Sequence, residues 1–137
     1  MLRQVIVDTG ILIALIDKRD QYYDWAREQL GSLSPPLLTC EAVISEAWFL
    51  LRRVKSGREA LLFSLEQDQV RVEFDLNAEQ VSVIDLMRRY QSVPASLADA
   101  ELVRMAELYP NSSVFTLERD FQIYRKHRNI PIPLITP

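Results

Sequence analysis

Apolar residues in this chain come in short runs between polar breaks, and the runs alternate between two kinds of spacing. Val5-Ile6-Val7 is a compact β-branched run, of the kind that forms a strand buried on both faces of a parallel sheet. Ile11 to Ile16 predicts a helix starting just after Gly10, and Asp17-Lys18-Arg19-Asp20 breaks it, with Asp20 placed to cap the next helix. Tyr22, Tyr23, Ala26 and Leu30 recur at helical spacing up to a stop at Gly31. Leu33-Ser34-Pro35-Pro36 reads as a loop and Leu37-Leu38-Thr39 as a second strand. Glu41 to about Val54 predicts a helix with Val43, Ala47, Leu50 and Val54 on one face, ended by Lys55-Ser56-Gly57, and Arg58 to Glu66 predicts another.

In the second half, Val70-Arg71-Val72-Glu73-Phe74 alternates with period two, as an edge or half-exposed strand does. Ala78 to Tyr90 is a helix carrying Val81, Ile84 and Met87. Pro94 opens a loop, and Ser96 to Tyr109 is a helix ended by Pro110. Val114-Phe115-Thr116 is a short strand, and the tail Ile130 to Thr136 is extended, its prolines confining any strand there to an edge or to its last residues. Strands alternating with helices predict one α/β domain over residues 1–137, with a mainly parallel sheet covered on both faces.

Composition narrows the classes. The chain has 137 residues, 48% hydrophobic and 26% charged, which is ordinary for a soluble globular protein. A net charge of −3 offers no global basic field for nucleic acid, although bound divalent cations can reverse the sign of an acidic site. One cysteine, Cys40, excludes an internal disulfide and fits a reducing cytosol. One histidine, His127, cannot build a histidine-based zinc site. The run from Ile11 to Ile16 is too short for a signal peptide or a membrane span. The expectation is a cytoplasmic protein with no membrane partner.

The chemistry concentrates in carboxylates at unusual places. Asp8 follows the first strand directly, at the carboxyl end where open α/β sheets put their ligand sites, though an aspartate there can equally just cap the next helix. Glu46 has only apolar residues at helical neighbour positions: Ala42, Val43, Phe49 and Leu50. A charge within such a stripe is costly unless paired or bound to metal, and the alternative is a surface glutamate that snorkels to water. Asp99 sits among Ala95, Ser96, Leu102 and Val103, and Ser96-Leu97-Ala98-Asp99 also reads as a capping box. Glu118 and Asp120 follow the last buried strand in Thr116-Leu117-Glu118-Arg119-Asp120-Phe121. Converging like charges repel unless cations neutralise them, and oxygen-only ligation points to Mg²⁺ or Mn²⁺ rather than zinc. Such ions suit phosphoryl chemistry and remove the need for a histidine base.

Val7-Asp8-Thr9-Gly10 with Leu12-Ile13-Ala14-Leu15, Ile44-Ser45-Glu46-Ala47 with Leu50-Leu51, Ser96-Leu97-Ala98-Asp99-Ala100 and Thr116-Leu117-Glu118-Arg119-Asp120-Phe121 together resemble the PIN-domain ribonucleases. The likeness is closest to VapC-type toxins of prokaryotic toxin–antitoxin modules. It spans nearly the whole chain in the expected order and implies a PIN fold over 1–137, a Rossmann-like three-layer α/β/α sandwich, with Mg²⁺- or Mn²⁺-dependent endonucleolytic cleavage of RNA, a homodimer and a cognate antitoxin. It implies Asp8, Glu46 and Asp99 as metal-binding acids and Thr116 as a hydroxyl near the metal. Where the family usually has aspartate this chain has Glu118, with Asp120 two positions on, so both are candidates for the fourth acid.

Arg52, Arg53, Lys55 and Arg58 form one basic group and Arg125, Lys126, His127 and Arg128 another; each is either a phosphate contact or a solvated end. The rival readings are a freestanding PIN nuclease in RNA processing, a non-catalytic RNA- or protein-binding module on the same fold, and a receiver-like phosphoacceptor using Asp8. The last wants a lysine after a late strand, and none occurs there before Lys126.

Overall fold

In the computed structural model, which describes residues 3–93 and 95–137, the first β-branched run is the central strand β1 (Gln4–Val7). It pairs in parallel with β2 (Leu37–Thr39) on one side. The neighbouring β3 (Val70–Val72) lies parallel to β2 at the sheet's edge, as its alternating pattern predicts. On its other side β1 pairs with β4 (Ser112–Phe115). The chain then makes a small antiparallel ribbon of β5 (Arg125–Lys126) and β6 (Ile130–Pro131). It ends in β7 (Leu134–Ile135), parallel to β4, so the five-stranded order is β3-β2-β1-β4-β7. The tail's prolines do leave it only an edge.

Parallel neighbours need crossovers, and helices supply them. α1 (Thr9–Ile16) and α2 (Tyr23–Leu30) connect β1 to β2, and α3 (Glu41–Leu50) and α4 (Gly57–Glu66) connect β2 to β3. α5 (Leu76–Arg89) and α6 (Leu97–Leu108) carry the chain back across β1 to β4. The helices form two packed groups beside the sheet, α1 with α2, α3 and α4, and α5 with α6. Arg104 ties the second group together by donating to Glu79 over 2.7 Å. Ile6, Val7, Ile11, Val43, Leu61, Leu102 and Phe115 are fully buried. Each such side chain contributes about 1.5–3 kcal/mol of burial. No helix among the described residues is long and apolar enough to cross a membrane.

Several boundaries differ from expectation for local reasons. α1 starts at Thr9, not after Gly10, because Asp8 itself is the N-cap. Asp20 does not cap α2; it accepts from the N–H of Tyr22 in the turn before, and the helix begins at Tyr23. α5 starts two residues early because Asp75 caps it through the N–H of Asn77. β3 is shorter than its alternating run, and β4 begins two residues before Val114. The loop expected to open at Pro94 lies outside the described residues.

The strand order reverses at β1: the chain leaves toward β3 on one side and returns to β4 on the other. Clefts at such switch points, beyond the carboxyl ends of the strands, are where open α/β sheets bind ligands. Ile6 aligns with both Leu38 and Val114, and Val7 with Phe115, so Asp8 and Thr116 leave the sheet side by side at that point.

Candidate metal centre

Asp8 is 6% exposed and held at both carboxylate oxygens. Oδ1 accepts the N–H of Thr9 at 2.7 Å, which caps α1, and Oδ2 accepts the hydroxyl of Thr116 at 2.7 Å. The capping role and a site role therefore coexist in one side chain. Thr116 is fully buried, and its oxygen also accepts the N–H of Glu118 at 2.9 Å. One hydroxyl thus fixes the ends of two loops.

Asp99 is presented by the capping box legible in the sequence. Its N–H donates to Ser96 Oγ at 3.0 Å and its Oδ2 accepts the N–H of Ser96 at 3.2 Å. Oδ2 also accepts the hydroxyl of Tyr124 at 3.2 Å, and Oδ1 takes part in none of these bonds. Tyr124 is completely buried, its ring edge-on to Phe121 and to Tyr90 at 5.1 and 5.0 Å between centroids. Sequence reading missed it. Its one signal, an aromatic three residues after Phe121, says only that both belong to one apolar face.

Asp8, Asp99 and Glu118 each offer a carboxylate oxygen, and these oxygens all lie within 4.8 Å of one another. The electrostatic consequence is marked. Burial raises Asp8 to about 6, against hydrogen bonds from Thr116 and Thr9 that pull it down, with Asp99 and Glu46 adding to the rise. Burial raises Glu118 to about 8, helped by the charge of Asp99, a hydrogen bond shared with it, and the charges of Asp8 and Asp120. Without a counter-cation, the trio therefore keeps a proton near neutral pH.

The donor set fits a hard divalent cation: carboxylate oxygens from three separate elements, a hydroxyl beside them, and no nitrogen or sulfur. The buried hydroxyl of Thr9, the residue after Asp8, has no hydrogen-bond partner among the described residues. A buried polar oxygen left unpaired is costly, so Thr9 is a further oxygen with unused capacity, adjacent to Asp8 in the chain.

Two expected acids stand outside the trio. Glu46 is exposed, which corrects the expectation that apolar neighbours bury it. Phe49 and Leu50 are themselves 57% and 44% exposed, and α3 turns only Val43 and Ala47 fully inward. Glu46 is still close enough for its charge to bear on Asp8. Asp120 is half-buried in the short 3-10 turn Arg119–Gln122, where its charge bears on Glu118. The two basic groups also differ. Arg125 is spent on carbonyls of Gln122, Ile123 and Tyr124, whereas Arg52 and Arg58 lie over aromatic rings of α3. Cys40 is buried and its thiol is pushed up to about 12, which makes it inert.

Comparison with known proteins places the chain in one family. The family model for the PIN domain matches residues 5–126. Among solved structures, a crystal structure of Mycobacterium tuberculosis VapC20, described as a Sarcin-Ricin loop cleaving toxin, superposes with a TM-score of 0.77 at 22% identity. The match covers 88% of this chain and 94% of that one. No curated protein matches by sequence.

Proposed function

Because the chain belongs to the PIN domain family, we propose that it is a divalent-metal-dependent endoribonuclease, and that it is the toxin of a VapC-type toxin–antitoxin pair. The observation that carries the reading is the convergence of Asp8, Asp99 and Glu118 at the switch point of the sheet. The toxin assignment is supported by the likeness to VapC20 together with the order of the four sequence motifs. The same likeness supports a cytoplasmic protein that forms a homodimer and is restrained by a separate antitoxin chain.

In this reading Asp8, Asp99 and Glu118 hold Mg²⁺ or Mn²⁺. A bound divalent ion supplies a lowered pKa for water and neutralises charge on the phosphate. The residues prepare that chemistry. Thr116 and the N–H of Thr9 lock the Asp8 carboxylate, and the capping box with Tyr124 locks Asp99, so the donors need little reorganisation. To hold a cation Glu118 would have to release the proton that burial favours, which would tie cation affinity to pH. Glu46, exposed and near enough for its charge to bear on Asp8, would add a fourth carboxylate to such a site, while Asp120 acts as a neighbouring charge on Glu118.

The direct test is cleavage of a labelled single-stranded RNA with Mg²⁺ or Mn²⁺, with EDTA, and with Asp8→Asn. Cutting by the native chain that EDTA and the substitution both abolish is the expected result. Full-rate cleavage in EDTA would overturn the metal-dependent assignment.

A further inference from the structure

We propose that Trp48 and Phe49 form a base-stacking platform that holds single-stranded RNA beside the acidic centre. The proposal rests on the RNA-cleaving reading above for its choice of ligand, and it adds the residues that bind the strand. α3 begins at Glu41, after its N-cap Cys40, directly beyond β2 and at the same sheet edge as Asp8. Phe49 lies one turn beyond Glu46, so that side of α3 leads outward from the acid whose charge bears on Asp8, and Trp48 lies on the adjoining side with Ile44.

Phe49 is 57% exposed and Trp48 is 40% exposed. Each is braced by an arginine. The Arg52 guanidinium lies 4.0 Å from the Phe49 ring centroid and donates to the Phe49 carbonyl at 3.0 Å. The Arg58 guanidinium lies 4.4 Å from the Trp48 ring centroid and donates to the Trp48 carbonyl at 2.8 Å. Trp48 also walls an open cavity of about 340 Å³ with Ile44, Leu62 and Val72. Arg53 and Lys55 stand exposed beside the pair.

The charge selects the occupant. In a chain of net charge −3, positions 52 to 58 hold four cations and no acid: Arg52, Arg53 and Lys55, which are exposed, and Arg58, which is half-buried over Trp48. A polyanion bearing flat apolar rings satisfies both halves of the surface. Single-stranded RNA is such a ligand: its bases stack on aromatic faces and its phosphates meet the arginines.

The test is binding of a fluorescein-labelled oligouridylate by the full chain in EDTA, so that the result does not depend on cleavage. RNA is expected to quench the emission of Trp48, and Trp48→Phe to remove that quenching, since the other tryptophan, Trp25, packs edge-on against Phe115. Phe49→Ala is expected to weaken binding about tenfold and Phe49→Tyr to preserve it. Thermal melting of each variant, expected unchanged at these exposed positions, shows that the fold is intact. Equal affinity of native and Phe49→Ala proteins would overturn the platform and leave the nuclease reading standing. So would polyphosphate competing as well as RNA, because that requires only the arginines. Loss of a dimer in Phe49→Ala with unchanged RNA affinity would assign the face to a second copy instead. Absence of any cleavage with Mg²⁺, beside intact stacking, would overturn the nuclease reading alone.

Discussion

Thr116 donates its hydroxyl proton to Oδ2 of Asp8 across 2.7 Å, joining two residues 108 positions apart in the chain. The contact follows from the parallel pairing of β1 and β4, which brings the residues after Val7 and Phe115 to the same edge. Thr116→Val keeps the shape and removes the hydroxyl, leaving a buried carboxylate oxygen and the N–H of Glu118 without their partner. Loss of such a partner costs about 1–3 kcal/mol. The expected outcome is a lower melting temperature and a large fall in RNA cleavage, with Thr116→Ser restoring both. Thermal denaturation alongside a cleavage assay checks it.

The raised acids predict an inverted pH dependence for the metal-free protein. In the folded chain Asp8 titrates at about 6 instead of 3.8, and Glu118 at about 8 instead of 4.5. The folded state thus keeps protons that the unfolded chain has released, so stability is greatest below about pH 4 for these groups and declines as pH rises through 6 and 8. For buried Asp8 alone the effect is about 3 kcal/mol at most; half-buried Glu118 adds less than its shift implies. Melting of EDTA-treated protein should fall between pH 5 and pH 8. Added Mg²⁺ should raise the melting temperature more at pH 8 than at pH 5, because the ion displaces fewer protons there. A flat melting profile over that range would contradict the clustering of these acids.

The legibility of this site in the sequence divides by distance along the chain. Asp8 and Asp99 were readable because local rules place them: a carboxylate after a β-branched run, and a Ser-x-x-Asp capping box that the structure retains in full. Glu46 shows how an inference of the same kind fails. Its i±3 and i±4 neighbours are apolar, but apolar identity does not say which face of a helix packs, and α3 buries Val43 and Ala47 while leaving Phe49 and Leu50 in solvent. Between Glu118 and Asp120 the sequence had no means to choose. The structure brings the glutamate to the trio because Asp120 is taken up in a short helical turn. Tyr124 reaches Asp99 across 25 positions, a tertiary contact that no periodicity encodes. The ribbon β5–β6 was likewise unreadable, being two residues long in each strand and containing Pro131.

Tyr124 acts through Asp99, so its removal should separate catalysis from folding. Tyr124→Phe keeps the edge-on packing with Phe121 and Tyr90 and deletes only the 3.2 Å hydrogen bond to Oδ2 of Asp99. The stability change should be about 1 kcal/mol, the usual net worth of one such bond. Activity should fall severalfold, with the loss lessened at high Mg²⁺ concentration because Asp99 is less firmly oriented rather than absent. Titrating activity against Mg²⁺ for both proteins checks this. An unchanged Mg²⁺ dependence would make the tyrosine a packing residue only.

Glu46 stands outside the trio yet bears on Asp8 by its charge, and its exposure makes its role directly testable. An exposed helix residue away from packing or capping features usually changes stability by no more than about 0.5 kcal/mol when replaced. Glu46→Gln should therefore stay within about 0.5 kcal/mol of native stability. Two outcomes separate the possibilities. If the carboxylate turns toward Asp8 when the ion binds, the substitution lowers cleavage at least tenfold and weakens Mg²⁺ binding, and Glu46→Asp, one methylene shorter, recovers only part of the loss. If the carboxylate stays in solvent, Glu46→Gln cuts RNA at the native rate, and the centre consists of Asp8, Asp99 and Glu118 alone. Because Glu46 adds to the raised titration of Asp8, its removal should also move the melting transition of the metal-free protein slightly, toward greater stability above pH 6, whichever outcome holds for cleavage.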